Sequence, residues 1–202
     1  MVKFTTRRYN SEQYIAFIRR KIMFIYTLTD IEFEFSKKYA NQFYEKKKKW
    51  LAEKDQTDPK RIKEQVLDGV IGEISAFNWL KNKTDLSKYS VSLPCLEILP
   101  QASWAPDLFV QSETGKKLNF AVKSMNSLTP FKKSFIFERS DKHVFNNYHK
   151  NDCVIFVEIT ENTGHIISCK KIQYLHEKNL FKDLEKEVLN KIKCAVYLED
   201  II

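Results

Sequence analysis

Between Trp104 and Met125 the chain reads WAPDLFVQSETGKKLNFAVKSM, and this stretch restricts the fold more than any other. Residues 106–111 are apolar and β-prone, Glu113-Thr114-Gly115-Lys116 has turn chemistry, and residues 118–125 alternate, which together predict two strands joined as a hairpin. Side chains along a strand point to opposite faces in turn, so Asn119, Ala121 and Lys123 share one face and Leu118, Phe120 and Val122 the other. An ammonium in a half-buried strand needs an anionic partner, and Asp107 in the neighbouring strand is placed to be one. An aspartate and a lysine meeting at a sheet edge can hold a divalent cation and a water against a phosphate. Trp104, just before the proline, is expected to pack rather than to stack on a base.

The flanking sequence supplies helices before this hairpin and a strand after it. Ser11 predicts a cap for a helix over Glu12–Leu28, and Thr29 with Glu32 predicts a capping box for a second over Asp30–Lys54, with Ile31, Phe35, Tyr39, Phe43 and Trp50 near helical spacing. Asp58-Pro59 predicts the cap and first turn of a third helix reaching Lys81, with Val66, Val70, Ile74, Phe77 and Leu80 as its apolar stripe and Glu73 beside it. Gly69 and Gly72 each cost about 1 kcal/mol in a helix interior, so close approach of that helix to a sheet or to DNA is expected there. Tyr89–Leu99 reads as an edge strand, Ser134–Glu138 as a short strand and Asp141–His149 as a short helix. Val154–Ile159 is apolar apart from Glu158, the pattern of a buried central strand, and Asn162-Thr163-Gly164 turns it into a partner over His165–Lys170. A last helix is expected over Phe181–Lys193. These elements predict an α/β sandwich with a mixed sheet.

Charge is concentrated at one end. Residues 1–61 hold 15 Lys/Arg against 8 Asp/Glu, while residues 62–202 hold 19 against 18. A concentrated positive field favours a polyanion and makes its capture salt-dependent. The densest basic cluster, Lys46, Lys47, Lys48 and Lys49, has two readings: contact with a phosphate backbone, or a solvated helix end favoured by the helix dipole. Cys95, Cys153, Cys169 and Cys194 have no metal-ligand spacing and read as reduced residues, mostly in apolar runs. His143, His149, His165 and His176 likewise show no metalloprotease or paired nuclease spacing and read as structural or exposed, with His143 and His149 on the short helix after the hairpin. No run of 18 uncharged apolar residues and no secretory pattern is present, so a soluble, cytoplasmic protein with no membrane partner is expected.

Pro106-Asp107, a hairpin-length gap, and Ala121-Val122-Lys123, preceded by a helix carrying Glu73, resemble the signature of the PD-(D/E)XK nuclease superfamily, which includes most type II restriction endonucleases. The resemblance covers roughly residues 62–160. It implies a restriction-endonuclease-like αβββαβ core with a mixed sheet flanked by helices over 62–202, following an N-terminal basic helical extension over 1–61. It also implies a Mg2+ cofactor, with Mn2+ as a substitute, held by Asp107, the Val122 carbonyl and Glu73, directly or through water. Lys123 would position or deprotonate the attacking water. Ser124 and Asn126, with Lys46 to Lys49, are the expected DNA contacts. Double-stranded DNA is the implied partner, and a homodimer is the expected form on palindromic sites.

The family's second acidic position is occupied by Ala121. Three accounts stand side by side. The alanine replaces a natural acid and inactivates the enzyme; or the carboxylate has moved to another element, with Glu138 the first candidate; or the chain binds nucleic acid without cutting it. The expected activity is Mg2+-dependent, sequence-specific cleavage of duplex DNA, impaired in the sequence as given by Ala121. The alternatives are a structure-specific repair or junction nuclease, a DNA-binding module without catalysis, and an unrelated α/β protein in which the two motifs are accidental.

Overall fold

A computed structural model describes residues 23–53, 56–94, 96, 98, 106–128, 133–184 and 191–202. Its centre is a six-stranded mixed sheet built from β1 (Phe24–Thr27), β2 (Tyr89–Val91), β3 (Leu108–Ser112), β4 (Lys117–Asn126), β6 (Cys153–Thr160) and β7 (Thr163–Lys171). The order across the sheet is β1-β7-β6-β4-β3-β2. Only β4 and β6 run parallel, with Ala121 opposite Val154 and Lys123 opposite Phe156. A parallel neighbour requires a crossover. Here it carries β5 (Ser134–Glu138) and the short helix α3 (Lys142–Phe145). β5 does not join the main sheet but pairs antiparallel with β8 (Lys193–Tyr197) in a second, two-stranded sheet.

Two cores follow from this layering. On one face of the main sheet lies α2 (Pro59–Lys83), and its Val70, Ile71, Ile74 and Leu80 join Phe120, Val122, Ile155, Val157 and Ile166. On the other face, Ala121, Met125, Val154 and Phe156 meet Phe135 and Phe137 of β5, Val144 of α3 and Val196 of β8, with α4 (Ile172–Glu177) and α5 (Leu198–Ile201) closing the layer. The Phe135 and Phe156 rings meet edge to face, 4.9 Å between centroids. β6 is buried from Val154 to Ile159 because both of its faces are covered, and the one charged residue in this stretch, Glu158, is buried with them near Lys133.

The helices start where their capping residues place them. Thr29 Oγ1 accepts from Glu32 N at 3.3 Å while the Glu32 carboxylate accepts from Thr29 N at 2.9 Å, starting α1 (Asp30–Ala52). Asp58 accepts from Arg61 N at 3.1 Å with Pro59 in the first turn of α2. α1 packs on α2 rather than on the sheet, and this corrects its expected apolar face. Small Ser36 and Ala40 are buried against α2, whereas Ile31 and Phe35 are 84 % and 50 % exposed. Ile31 and Phe35 point outward, while Leu51 is buried and Phe33 and Tyr39 pack against the core.

Other expectations are also corrected. Residues 24–27 form an edge strand on β7, not the end of a helix, because alternate burial at Phe24 and Tyr26 suits a sheet edge; the rest of the helix expected over Glu12–Leu28 lies outside the described residues. The strand expected over Tyr89–Leu99 covers only Tyr89–Val91 among the described residues. The helix expected over Asp141–His149 stops at Phe145. At the C-terminal end, Phe181–Lys193 is not helical where it is described: Lys182 bridges to Ala195, and Lys193 opens β8. At Lys182, β-pairing with Ala195 decides the conformation. The part of that stretch over 185–190, together with Ser11, Cys95, Leu99 and Trp104, lies outside the described residues. No helix among the described residues is long and apolar enough to cross a membrane.

The glycines of α2 divide in function. A Cβ on Gly72 would lie 3.0 Å from Ser124 Cβ, so glycine there lets the helix approach β4. Gly69 meets nothing within 4 Å and has no such role. Gly69→Ala is therefore expected to raise unfolding free energy by about 0.5–1 kcal/mol. Gly164→Ala, whose Cβ would fall 2.2 Å from Ser75 Oγ, is expected to lower it by about 1–3 kcal/mol. Urea titrations of the three proteins check both signs.

Candidate active site

The ladder between β3 and β4 ends at a proline. Leu108 faces Phe120, and continuing that register would set Pro106 opposite Val122. Proline makes poor ladder partners and closes the strand, leaving the Val122 N–H without a backbone acceptor on that side. The side chain of Asp107 takes its place: Oδ2 accepts from Val122 N at 2.6 Å. Because the N–H and C=O of a strand residue leave on the same side, the Val122 carbonyl is directed toward this edge too. The acid is thereby fixed to the residue preceding Lys123.

Lys123 stands on the face of β4 expected for it. Its Nζ is 5.3 Å from the centroid of the Phe137 ring and 3.7 Å from Asp141 Oδ2. Asp141 precedes α3 and caps it, with Oδ1 accepting from Val144 N at 3.2 Å. Glu73 arrives from α2. Burial first, then the neighbouring Asp107, push its carboxyl well above the ordinary range, and Lys123 opposes that shift. Asp107 is also raised, chiefly by burial and further by Asp141, while Lys123, the Val122 N–H and His143 pull it down. Glu73, Asp107 and Lys123, from three separate segments, thus act on one another directly.

His143, buried in α3, forms the back of this wall. Its Nδ1 is 4.0 Å from Asp152 Oδ2, and its Nε2 is buried without a hydrogen-bond partner. Asp152 is held by Asn119 N and Nδ2 at 3.3 and 3.2 Å and by His149 N at 2.9 Å. Sequence reading assigned His143 a structural role and passed over Asp141 and Asp152 as site residues. The available signal was Asp141 as the cap of a helix directly after the hairpin's lysine. Glu138, the acid expected to replace a missing carboxylate, is exposed at the end of β5 opposite Lys193.

The remaining expected residues lie elsewhere. Ala121 is buried in the core formed with Val154, Phe156 and Phe137. Ser124 lies on the opposite face of β4 from Lys123, under Gly72 of α2. Asn126 shares that face and donates from Nδ2 to the Asp68 carboxylate at 3.2 Å. Lys46, Lys48 and Lys49 are exposed on the C-terminal half of α1 and Lys47 is half-buried; Lys48 pairs with Glu45 at 2.9 Å and Lys47 lies 5.7 Å from the Trp50 ring centroid. His176 stacks on Tyr148 and is structural as expected, and Cys153, Cys169 and Cys194 are free thiols.

Among the described residues, no three His, Cys, Asp or Glu side chains are grouped closely enough to hold a metal ion by themselves. The donor set still fits a hard cation of the Mg2+ type. Burial and Asp107 raise the proton affinity of Glu73, burial and Asp141 that of Asp107, and Mg2+ takes one or two carboxylates and keeps several waters.

Asp68 gives the clearest pH dependence. Burial raises its pKa to about 6 against the opposing Asn126 hydrogen bond. A carboxyl raised on folding contributes stability that is complete below its unfolded pKa, near 4, and is lost as pH rises through its folded value. Asp68→Asn is expected to flatten the stability profile between about pH 4 and 6 and to be more stable than the parent at pH 7, as thermal melts across that range would register. Comparison of the chain with protein-family models, with curated proteins and with solved structures gives no significant match.

Proposed function

We propose that this chain is a Mg2+-dependent deoxyribonuclease of the PD-(D/E)XK type, cutting duplex DNA at specific sites. The observation that carries the reading is the meeting of Glu73, Asp107 and Lys123 at the edge of a mixed sheet where β3 ends. The order α2, β2, β3, β4, β5, α3, β6, with β5 outside the main sheet and β4 parallel to β6, supports the resemblance to a restriction-endonuclease-like core.

Phosphodiester hydrolysis needs an aligned water, neutralisation of charge building on the phosphoryl oxygens, and a stabilised leaving oxygen. Asp107, held rigidly by Val122 N, and Glu73 are the residues that would hold Mg2+ or Mn2+, with the Val122 carbonyl beside them. The bound cation would supply Lewis-acid charge stabilisation and lower the pKa of water. Lys123 puts a positive charge beside the scissile phosphate and orients the attacking water. Phe137 and Asp141 keep its ammonium from swinging away. Lys46 to Lys49 on α1 provide backbone contacts that carry no sequence information.

Incubation of the purified chain with mixed-sequence linear duplex and Mg2+ should give discrete fragments. Asp107→Asn and Lys123→Ala should each slow cleavage by roughly 100-fold or more while the fold persists. A smear would replace site-specific by nonspecific cutting, and cleavage of branched DNA alone would select a junction nuclease. Cleavage that survives both substitutions would remove this site from the reaction.

Binding has its own test. Replacing Lys46, Lys47, Lys48 and Lys49 by glutamine should weaken DNA affinity at every sequence and reduce the slope of log K against log salt by roughly 1 for each lysine that contacts a phosphate. An unchanged slope, measured by fluorescence anisotropy, would assign the run to the solvated end of α1.

A further inference from the structure

Strand β4 carries no acid on the face of Lys123, because position 121 is an alanine buried among Val154, Phe156 and Phe137. A carboxylate nevertheless stands beside the ammonium, and it comes from the crossover. The chain leaves β5, turns through a bond from Asp141 N to Glu138 O at 3.0 Å, and enters α3 with the Asp141 side chain divided between two tasks. Oδ1 caps the helix at Val144 N, and Oδ2 faces Lys123 Nζ at 3.7 Å. The two side chains are 14 % and 23 % exposed, so this pair is screened far less than a surface ion pair. Asp141 also raises the proton affinity of Asp107, so its charge acts on that acid as well as on Lys123.

A second polar group lies near this pair. His143, two residues on and 7 % exposed, acts electrostatically on Asp107, and its Nε2 is buried without a hydrogen-bond partner. Buried polar atoms are left unpaired rarely and at a cost of about 1–3 kcal/mol, which a bound group on this wall would offset.

We infer that Asp141 supplies, from the N-cap of α3, the acidic charge that β4 lacks at Ala121, and that the site is complete without an acid at that position. The inference rests on the nuclease reading above. Charge counting supports it. Glu73, Asp107 and Asp141 against Lys123 leave two negative charges when all are ionised, the charge that a divalent cation neutralises; without Asp141 only one is left. Asp141 acts as an outer-sphere charge, through the waters that Mg2+ retains and through Lys123, rather than as a direct ligand.

Asparagine caps a helix as well as aspartate does, so Asp141→Asn removes the charge and keeps the turn. Four proteins separate the outcomes: the chain as given, Asp141→Asn, Ala121→Glu, and the double variant. Mn2+ binding is read by electron paramagnetic resonance and cleavage by incubation with linear duplex and Mg2+. The chain as given should bind Mn2+ and cleave. Asp141→Asn should bind Mn2+ roughly 10-fold more weakly and cleave roughly 100-fold more slowly while staying folded, its melting temperature lowered only by the loss of the pair with Lys123; Ala121→Glu, a carboxylate set among aromatic rings, should restore neither in the double variant. If Asp141→Asn does not fold, Asp141→Ser, also a good cap, carries the same comparison. Asp141→Asn matching the parent in both measurements overturns the assignment, and the nuclease reading survives if Asp107→Asn still abolishes cleavage. Weakened Mn2+ binding in a set of proteins none of which cuts DNA leaves Asp141 in place and overturns the nuclease reading instead.

Discussion

The hydrogen bond from Val122 N to the Asp107 carboxylate is the point where sheet pairing passes into chemistry. β4 is flanked on both sides, and a buried N–H left without an acceptor at the end of β3 would cost about 1–3 kcal/mol. Pro106 ends the backbone ladder, and the next side chain completes it. One carboxylate oxygen, Oδ2, is taken up by this structural duty. The acid therefore cannot drift from Lys123, because both are referred to the same peptide unit of β4.

Placement of Glu73 depends on a different contact. α2 lies between α1 and the main sheet, and none of its residues from Val66 to Leu80 is exposed. Gly72 brings its backbone against Ser124 and Val122, and Glu73, the next residue, is delivered to the edge where β3 stops. Its carboxyl is destabilised there by burial and by Asp107, and only partly compensated by Lys123. Sites with this balance are strained toward accepting a cation or a proton, a state that structural ion pairs, fully matched, do not reach.

Much of this was legible in the sequence, for local reasons. Thr29 with Glu32 and Asp58 with Pro59 start their helices where capping chemistry requires, and the apolar run from Val154 to Ile159 is the central strand of the sheet. Asp107, Lys123 and Glu73 were readable as a set because strand alternation and order along the chain constrain them. What escaped depends on contacts between distant segments. Residues 24–27 form a strand only because β7 offers an edge, and Lys193–Tyr197 only because β5 does. Ile31 and Phe35 follow helical spacing yet face outward, since α1 meets a helix through Ser36 and Ala40. Asp141 was read as the start of a helix, and nothing local reveals that the crossover folds it back over Lys123.

That last point bears on why an alanine suits position 121. Its side chain projects into the same layer as Phe135, Phe137 and Phe156, a wall closed by β5 and β8. A carboxylate there would leave water on its apolar side and recover stability only by leaning along the strand toward Lys123. Phe137 already lies beneath that ammonium and occupies part of the space such a lean would need. Bringing the acid in from the crossover avoids the conflict. β4 keeps an apolar contact with β5, and the charge reaches Lys123 from a helix cap whose other oxygen is independently satisfied. The aromatic layer and the displaced acid are thus two consequences of one packing choice, the laying of β5 and β8 across the face of β4.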